Sequence, residues 1–474
     1  MALPMTFKLR SYQKECIDTV CSGFDEGLSA QLVQLPTGSG KTVIFWHIIK
    51  QRGDRALIVA PTRELTEQVE QTGQVVCSEQ TTWRKHSSYW QQDFHHCVMT
   101  TQSATFALRK GKLAGFRPSI LIVDEAHRSR SEGLQELIEH YKAKDVPVLG
   151  LTATPERLDG KSLLEVYDTL SYEKTLIELM RAGHLVDLKC YRVRTGCRLT
   201  NVKINMGDIA PVSLKQLETD ERDKIIGRTC TQQLKGKKTI VFCLSVRHAQ
   251  SIAERLRADG EKAQAIYGDM SKRERERILR DFASGEIRIL CNCQLLTEGF
   301  DEPSIEAVVL ARPTKSKALY CQMVGRGVRP YSGKKHCLVY DMTDEVHNIC
   351  SFNVLGGLAL NDTRELIRTN GQSLLDAAVK LVEQKANVTD VEYELFRPYI
   401  ALDDIAATPS QVKRLQEANI PHLEDITMPQ AGYLLLKDRI MGQYGYDRRA
   451  HWKKWRNEIQ GFDTSQRFAK GCNV

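Results

Sequence analysis

The 474-residue sequence has no apolar run long enough to cross a bilayer as a helix. Its first residues, Met1–Arg10, are too few and too mixed for a secretory signal. No periodic repeat or low-complexity tract stands out. The 14 cysteines are scattered rather than framed. Cys16, Cys77, Cys197, Cys243 and Cys337 stand alone, and neither Cys291–Cys293 nor Cys190–Cys197 makes a two-pair zinc spacing with a histidine to complete it. These absences argue against a membrane protein, a secreted protein and a zinc-ribbon fold. So many free thiols point to a reducing intracellular compartment, cytoplasmic or nucleoid-associated.

What is there reads as globular, with 42% hydrophobic and 27% charged residues. The length accommodates two or three domains, each with its own core. The formal net charge of +8 is compatible with a polyanionic partner and equally with plain solubility.

Through the first 190 residues short apolar runs alternate with amphipathic stretches. Strands are predicted at Leu32–Leu35, Arg55–Ala60, His96–Thr100, Ser119–Val123 and Val146–Leu151, and helices at Thr42–Gln51, Glu64–Thr72, from Ser103, and at Glu132–Tyr141. This alternation implies right-handed crossovers and a mostly parallel sheet. A helix at Leu176–Ala182, a strand at Leu185–Arg194 and a polar connector follow. A second alternating block runs from the helical stretch Thr219–Leu234 to a last strand at His336–Asp341. The predicted organisation is an α/β domain over residues 1–190, a linker over 191–218, a second α/β domain over 219–350 and a mainly helical region over 351–474.

The strand at Leu32–Leu35 runs into Pro36-Thr37-Gly38-Ser39-Gly40-Lys41-Thr42, and a helix follows. Gly38 and Gly40 let successive backbone N–H groups converge on phosphate oxygens, and the helix N-terminus adds its field. Lys41 would reach the β- and γ-phosphates of ATP and Thr42 would ligate Mg²⁺. A surface turn is the plain alternative, but strand, loop, Gly-Lys-Thr and helix together argue against it. The second element is Leu121-Ile-Val-Asp-Glu-Ala-His127, an apolar strand that carries Asp124 and Glu125 to the sheet edge. Asp124 would hold Mg²⁺ and Glu125 would orient and deprotonate the attacking water.

Together these residues resemble superfamily 2 helicases and translocases over roughly residues 5–345. Asp124-Glu125-Ala126-His127 is similar to the DEAH form of the acidic box. The resemblance implies two tandem RecA-like domains of the P-loop NTPase fold. It implies that Arg10 and Gln13, in Leu9-Arg-Ser-Tyr-Gln13, read the adenine, and that Thr62, Arg63 and Thr101 touch the nucleic-acid backbone. It assigns coupling between hydrolysis and grip to His127, Thr152 and Thr154. In the second domain, Leu296-Thr-Glu-Gly-Phe-Asp301 resembles a motif that contacts nucleic acid through Thr297 and nucleotide through Gly299 and Asp301. Gln322-Met-Val-Gly-Arg-Gly-Val-Arg329 resembles the arginine-finger motif, with Gln322, Arg326 and Arg329 at the γ-phosphate. Arg326 and Arg329 lie three apart, on one helical face, and a backbone-contact role is the alternative. Thr154–Gly160 and Ala311–Ser316 look most like the DNA-handling branch, which includes XPB-like helicases, restriction-enzyme motors, RadD-like repair helicases and mitochondrial branched-DNA helicases. The cysteine-rich zinc site associated with RadD-like proteins is not evident.

From Tyr433 the tail is basic and aromatic, with nine Lys and Arg against four Asp and Glu. Trp452 and Trp455 suit a buried helix face, a nucleic-acid platform or a protein-binding face. The leading expectation is an ATP-dependent DNA helicase or branched-DNA translocase moving 3′ to 5′. The alternatives are an RNA helicase and a motor subunit working with protein partners.

Overall fold

The computed structural model describes residues 8–78, 83–85, 95–113, 116–129, 131–153, 163–193, 195–196, 201–205, 208–297, 299–342, 355, 370–377, 412, 413, 415 and 416. Thr154 and the aromatic tail from Tyr433 lie outside them. The chain divides into two compact units, Met1–Val391 and Glu392–Val474.

In the first unit the chain begins with α1 (Ser11–Asp25), β1 (Ala30–Gln34), α2 (Lys41–Arg52), β2 (Ala56–Ala60), α3 (Arg63–Val76) and β3 (Trp83–Lys85). It continues through β4 (His96–Thr100), α4 (Thr101–Arg109), β5 (Ile120–Asp124), α5 (Glu132–Lys142), β6 (Val148–Thr152), β7 (Thr169–Glu173) and α6 (Leu176–Arg181). The strands form one parallel sheet in the order β3-β4-β2-β5-β6-β1-β7. β2 and β5 are buried along their whole length, as central parallel strands covered on both faces must be. Their side chains alternate between two cores. Ala56, Ile58, Ile120 and Ile122 enter one, while Leu57, Val59, Leu121 and Val123 enter the other. Leu134, Leu137, Ile138 and Tyr141 give α5 an apolar stripe that covers the second core. α2 and α3 are tied by a hydrogen bond from Trp46 Nε1 to the Val69 carbonyl at 2.9 Å.

The chain then passes to a second sheet through β8 (Asp187–Arg192), the short hairpin β9 (Ile204–Asn205) and β10 (Asp208–Ile209), α7 (Pro211–Leu214) and α8 (Asp220–Arg228). There follow β11 (Thr239–Phe242), α9 (Val246–Ala258), β12 (Ala263–Ile266), α10 (Lys272–Ser284), β13 (Ile289–Asn292), β14 (Ala307–Leu310), α11 (Lys317–Val324), β15 (His336–Asp341) and β16 (Asn370–Ser373). The order is β12-β13-β11-β14-β15-β8-β16, parallel throughout except for β16.

The second sheet therefore takes in residues on both sides of the 219–350 span. β8 pairs with β15 from Asp187↔His336 to Arg192↔Asp341. β8 thus spans the boundary expected at residue 190 and lies in the second sheet. β16, from the region expected to be mainly helical, closes the outer edge of β8.

Candidate active site

β5, β6 and β1 are consecutive parallel strands of the first sheet and end at the same edge, where open α/β sheets bind ligands. The loop Pro36–Thr42 leaves β1 there. Gly38 and Gly40 have φ of 86° and 82°, a left-handed conformation that glycine adopts without penalty. Thr37 and Ser39 are buried, and their hydroxyls have no hydrogen-bond partner among the described residues. Two unpartnered hydroxyls beside a helix N-terminus suit the acceptor oxygens of a phosphate. Lys41 Nζ donates to the Leu35 carbonyl at 3.3 Å, which leaves two of its three N–H groups for phosphate. Thr42 is half-buried in the first turn of α2, a site for a metal-ligating hydroxyl.

The start of α1 braces this loop. Gln13 accepts from the Arg10 N–H at 2.9 Å and donates to the Ser39 carbonyl at 3.0 Å. One amide N–H and one lone pair remain, the combination that reads an adenine edge. Tyr12 donates its hydroxyl to the same Ser39 carbonyl at 2.5 Å. Arg10 Nη1 donates to the His184 carbonyl at 3.0 Å, and the Tyr12 and His184 rings lie 4.9 Å apart. Sequence reasoning missed Tyr12, although it stands inside the Leu9–Gln13 motif. His184 carried no signal, since only the fold brings it there.

Asp124 and Glu125 follow at the end of β5. Asp124 is buried, and Oδ1 accepts from the Glu125 N–H at 3.0 Å. Glu125 has φ of 52°, an unusual conformation for a residue with a side chain. His127 Nδ1 stands 3.3 Å from Glu125 Oε2 and 3.4 Å from Thr152 Oγ1. The Thr152 carbonyl in turn accepts from the Leu35 N–H at 2.9 Å, just ahead of the phosphate loop. Burial pushes the Glu125 carboxyl upward, but Lys41, His127 and Arg326 outweigh it and hold the group well below the usual carboxylate range.

Arg326 exerts that influence from the second sheet. α11 ends against the phosphate loop, and a methyl group added at Gly325 would lie 2.7 Å from Thr37 Cγ2. One added at Gly38 would meet Arg329 Cγ at 3.3 Å, Val328 Cγ2 at 3.4 Å and Leu185 Cδ2 at 3.6 Å. The Val186 N–H donates to the Val328 carbonyl at 2.8 Å. Gln322 and Arg326 are buried, and Arg326 Nε donates to the Gln322 carbonyl at 3.3 Å. Both guanidinium groups rest on the loop after β13. Arg326 donates to the Phe300 carbonyl, and Arg329 to Phe300 and to the exposed Asp301 carboxylate. Burial lowers Arg329 to about 10, so it stays charged at neutral pH.

A second seam joins the lobes. Thr62 caps α3 by accepting from the Leu65 N–H at 3.3 Å, and Arg63 beside it is exposed. Gly299 lies against this helix start, where an added methyl would stand 3.5 Å from the Leu65 nitrogen. Lys272 pairs with Glu67 at 3.1 Å and Arg275 with Glu64 at 3.6 Å across the same seam. Thr101 and Thr297 donate their hydroxyls to the carbonyls of Ala60, at 3.3 Å, and Gln294, at 2.6 Å. A phosphate offers only acceptors, so either hydroxyl would have to turn before it could donate to one.

Two parallel-sheet lobes closing arginines over a phosphate loop define a P-loop NTPase. Residues 6–157 match the family described as the res subunit of type III restriction enzymes, and residues 221–330 match the helicase conserved C-terminal domain. These matches show a superfamily 2 helicase core in this chain, related to restriction-enzyme motor subunits and to helicases of the IRC3 kind. Membership of this nucleotide-hydrolase class implies ATP binding. The putative ATP-dependent helicase IRC3 of Saccharomyces cerevisiae is 31% identical over 352 residues, covering 70% of this chain and 51% of the relative. The putative mitochondrial ATP-dependent helicase irc3 of Schizosaccharomyces pombe is 30% identical, covering 77% and 63%. The chain thus spans between half and two thirds of the length of these relatives. A fragment of a putative HsdR subunit of a type I restriction enzyme from Vibrio vulnificus shares the fold, with a TM-score of 0.56 at 23% identity over 70% of this chain and 64% of that one. Among the described residues no helix is long and apolar enough to cross a membrane.

Proposed function

We propose that this chain is an ATP-dependent DNA helicase or branched-DNA translocase. The observation that carries the reading is the approach of the Gln322–Arg329 segment to the phosphate loop, with Arg326 acting on Glu125. Lys41, the two buried loop hydroxyls and the Arg326 and Arg329 side chains place positive charge and donors where charge develops during phosphoryl transfer. Glu125 positions the attacking water, and its low proton affinity suits orientation more than strong base catalysis. Thr42 and Asp124 would hold Mg²⁺, which when bound supplies charge against the phosphate oxygens. Gln13 would bind the adenine edge, and Gly299 and Asp301 would border the nucleotide from the second lobe.

In this reading Thr62, Arg63 and Thr101 hold the nucleic-acid backbone on the first lobe and Thr297 holds it on the second. His127 and Thr152 stand between Glu125 and the strand feeding the phosphate loop, so they would relay the state of the γ-phosphate. Loss of that phosphate removes the contacts bridging the lobes, and alternating closure yields stepping. The preference for DNA draws on relatives described as restriction-enzyme subunits.

An ATPase titration against single-stranded, duplex, forked and four-way DNA and against RNA tests the proposal. The expected result is strongest stimulation by a DNA with a single-stranded or branched part. Stimulation by RNA alone would reverse the DNA assignment. Stimulation by no polymer would place the chain as a motor needing protein partners.

A further inference from the structure

Away from the cleft, Phe106 on α4 is 57% exposed, while Ala104 and Ala107 on the same helix face the core. The other exposed large hydrophobic side chains among the described residues, Ile204, Val212 and Tyr331, all lie beyond the first lobe. A single exposed phenylalanine is ordinary. Two cations converging on it are not: the ammonium groups of Lys110 and Lys112 lie 6.0 and 5.8 Å from its ring centroid. Neither lysine has an ion-pair partner among the described residues. The nearby acid on α5 is already engaged, since Glu136 pairs with Arg109 at 2.7 Å. That pair and the packing of Thr105 against Gly133 hold α4 to α5. The first residue of α4 is Thr101, placed on the proposed nucleic-acid track, and Phe106 stands about 7.5 Å further along the helix axis at ~1.5 Å per residue.

We propose that Phe106, Lys110 and Lys112 form a stacking platform for an unpaired segment of the nucleic acid. A base would lie on the Phe106 ring, and the two ammonium groups would meet the flanking phosphates. An apolar ring under two flexible cations complements a chain of flat bases linked by anions, each ammonium swinging off the ring to a phosphate as a base takes its place. A duplex hides its base faces in the stack and would meet only the lysines. The platform rests on the nucleic-acid reading of the cleft.

The test compares Phe106→Ala and Phe106→Trp with the parent in the full chain. Oligothymidylate and a blunt duplex are the probes. The readouts are the concentration giving half-maximal ATPase stimulation and the ATPase rate without polymer, which reports folding. Phe106→Ala should raise the half-saturating oligothymidylate concentration about 5- to 100-fold, the usual range for loss of one base–aromatic stack. It should leave the duplex value and the unstimulated rate unchanged, and Phe106→Trp should keep parental affinity. An unchanged oligothymidylate value in a stimulated Phe106→Ala protein overturns the platform alone. An equal loss for the duplex overturns its specificity for unpaired strands. A parent that no polymer stimulates overturns the platform together with the reading of this chain as a self-sufficient helicase.

Discussion

Glu125 concentrates the chemistry of the first lobe in one side chain. It is buried, adopts a left-handed backbone and faces Lys41, His127 and Arg326. Its folded proton affinity lies below the ordinary carboxylate value of 4.5. A depressed carboxylate contributes stability above its unfolded pKa and loses it as pH falls through the folded one. That contribution is therefore fully present at neutral pH and disappears only below the ordinary value. Glu125 stays ionised from pH ~5 to ~8, so it should add no titration step to the ATPase rate in that window. Glu125→Gln should lower kcat roughly 10²-fold or more across the whole window, since a neutral amide no longer holds the attacking water in line through its charge. A pH series of steady-state rates on parent and variant checks both statements. A variant turning over at the parental rate would remove Glu125 from the mechanism.

At the scale of elements, α11 and the phosphate loop meet where only glycine fits. A side chain at position 325 would collide with Thr37, so Gly325→Ala should push the second lobe off the loop. The first-lobe contacts to nucleotide stay in place, so ATP affinity should change little while kcat falls ~10-fold or more as the arginines lose their geometry. Binding of a fluorescent nucleotide beside turnover separates the two effects. A variant with parental kcat would show that the observed closure is not the working one. The elements themselves were largely legible in the sequence. β4 and β15 match their predicted spans to the residue, because buried parallel strands are apolar runs with polar borders. Sheet membership was not legible. β8 reads as a strand from its side chains, but its partner is β15, some 150 residues on, and only the open edge of the second sheet decides the pairing. α1 is legible as a motif rather than as a helix, because the Leu9–Gln13 segment at its start carries the signal. β7 is a short alternating run, Thr169-Leu-Ser-Tyr-Glu173, whose place in the sheet is set only by pairing with β1. The phosphate loop and the acidic box announce themselves by composition and order. The support from Tyr12, His184, Leu185 and Val328 does not, since these residues come from three separate segments.

Across the whole molecule, two kinds of force act on two surfaces, and salt should separate them. Buried residues of both lobes, among them Tyr12, Leu35, Leu185, Leu188, Ile240 and Val328, belong to one continuous apolar cluster. The contact between the lobes therefore rests largely on apolar burial, which moderate salt does not weaken, and the γ-phosphate would add its own bridge. The two ion pairs across the seam, Lys272–Glu67 and Arg275–Glu64, involve exposed side chains and contribute little. The nucleic-acid track is different. Its proposed contacts go to phosphates from exposed cations such as Arg63, Lys110 and Lys112, and each such contact releases counterions. With about four phosphate contacts, raising monovalent salt from ~50 to ~200 mM should weaken half-saturation by polymer about 10²-fold. The ATPase rate without polymer should stay nearly constant over the same range, because the cleft does not depend on exposed charge. Paired titrations at four or five salt concentrations give the slope directly. A half-saturation value insensitive to salt would mean that the exposed cations do not carry the polymer. An unstimulated rate that collapsed in parallel would mean that charge, and not the shared apolar cluster, holds the lobes together.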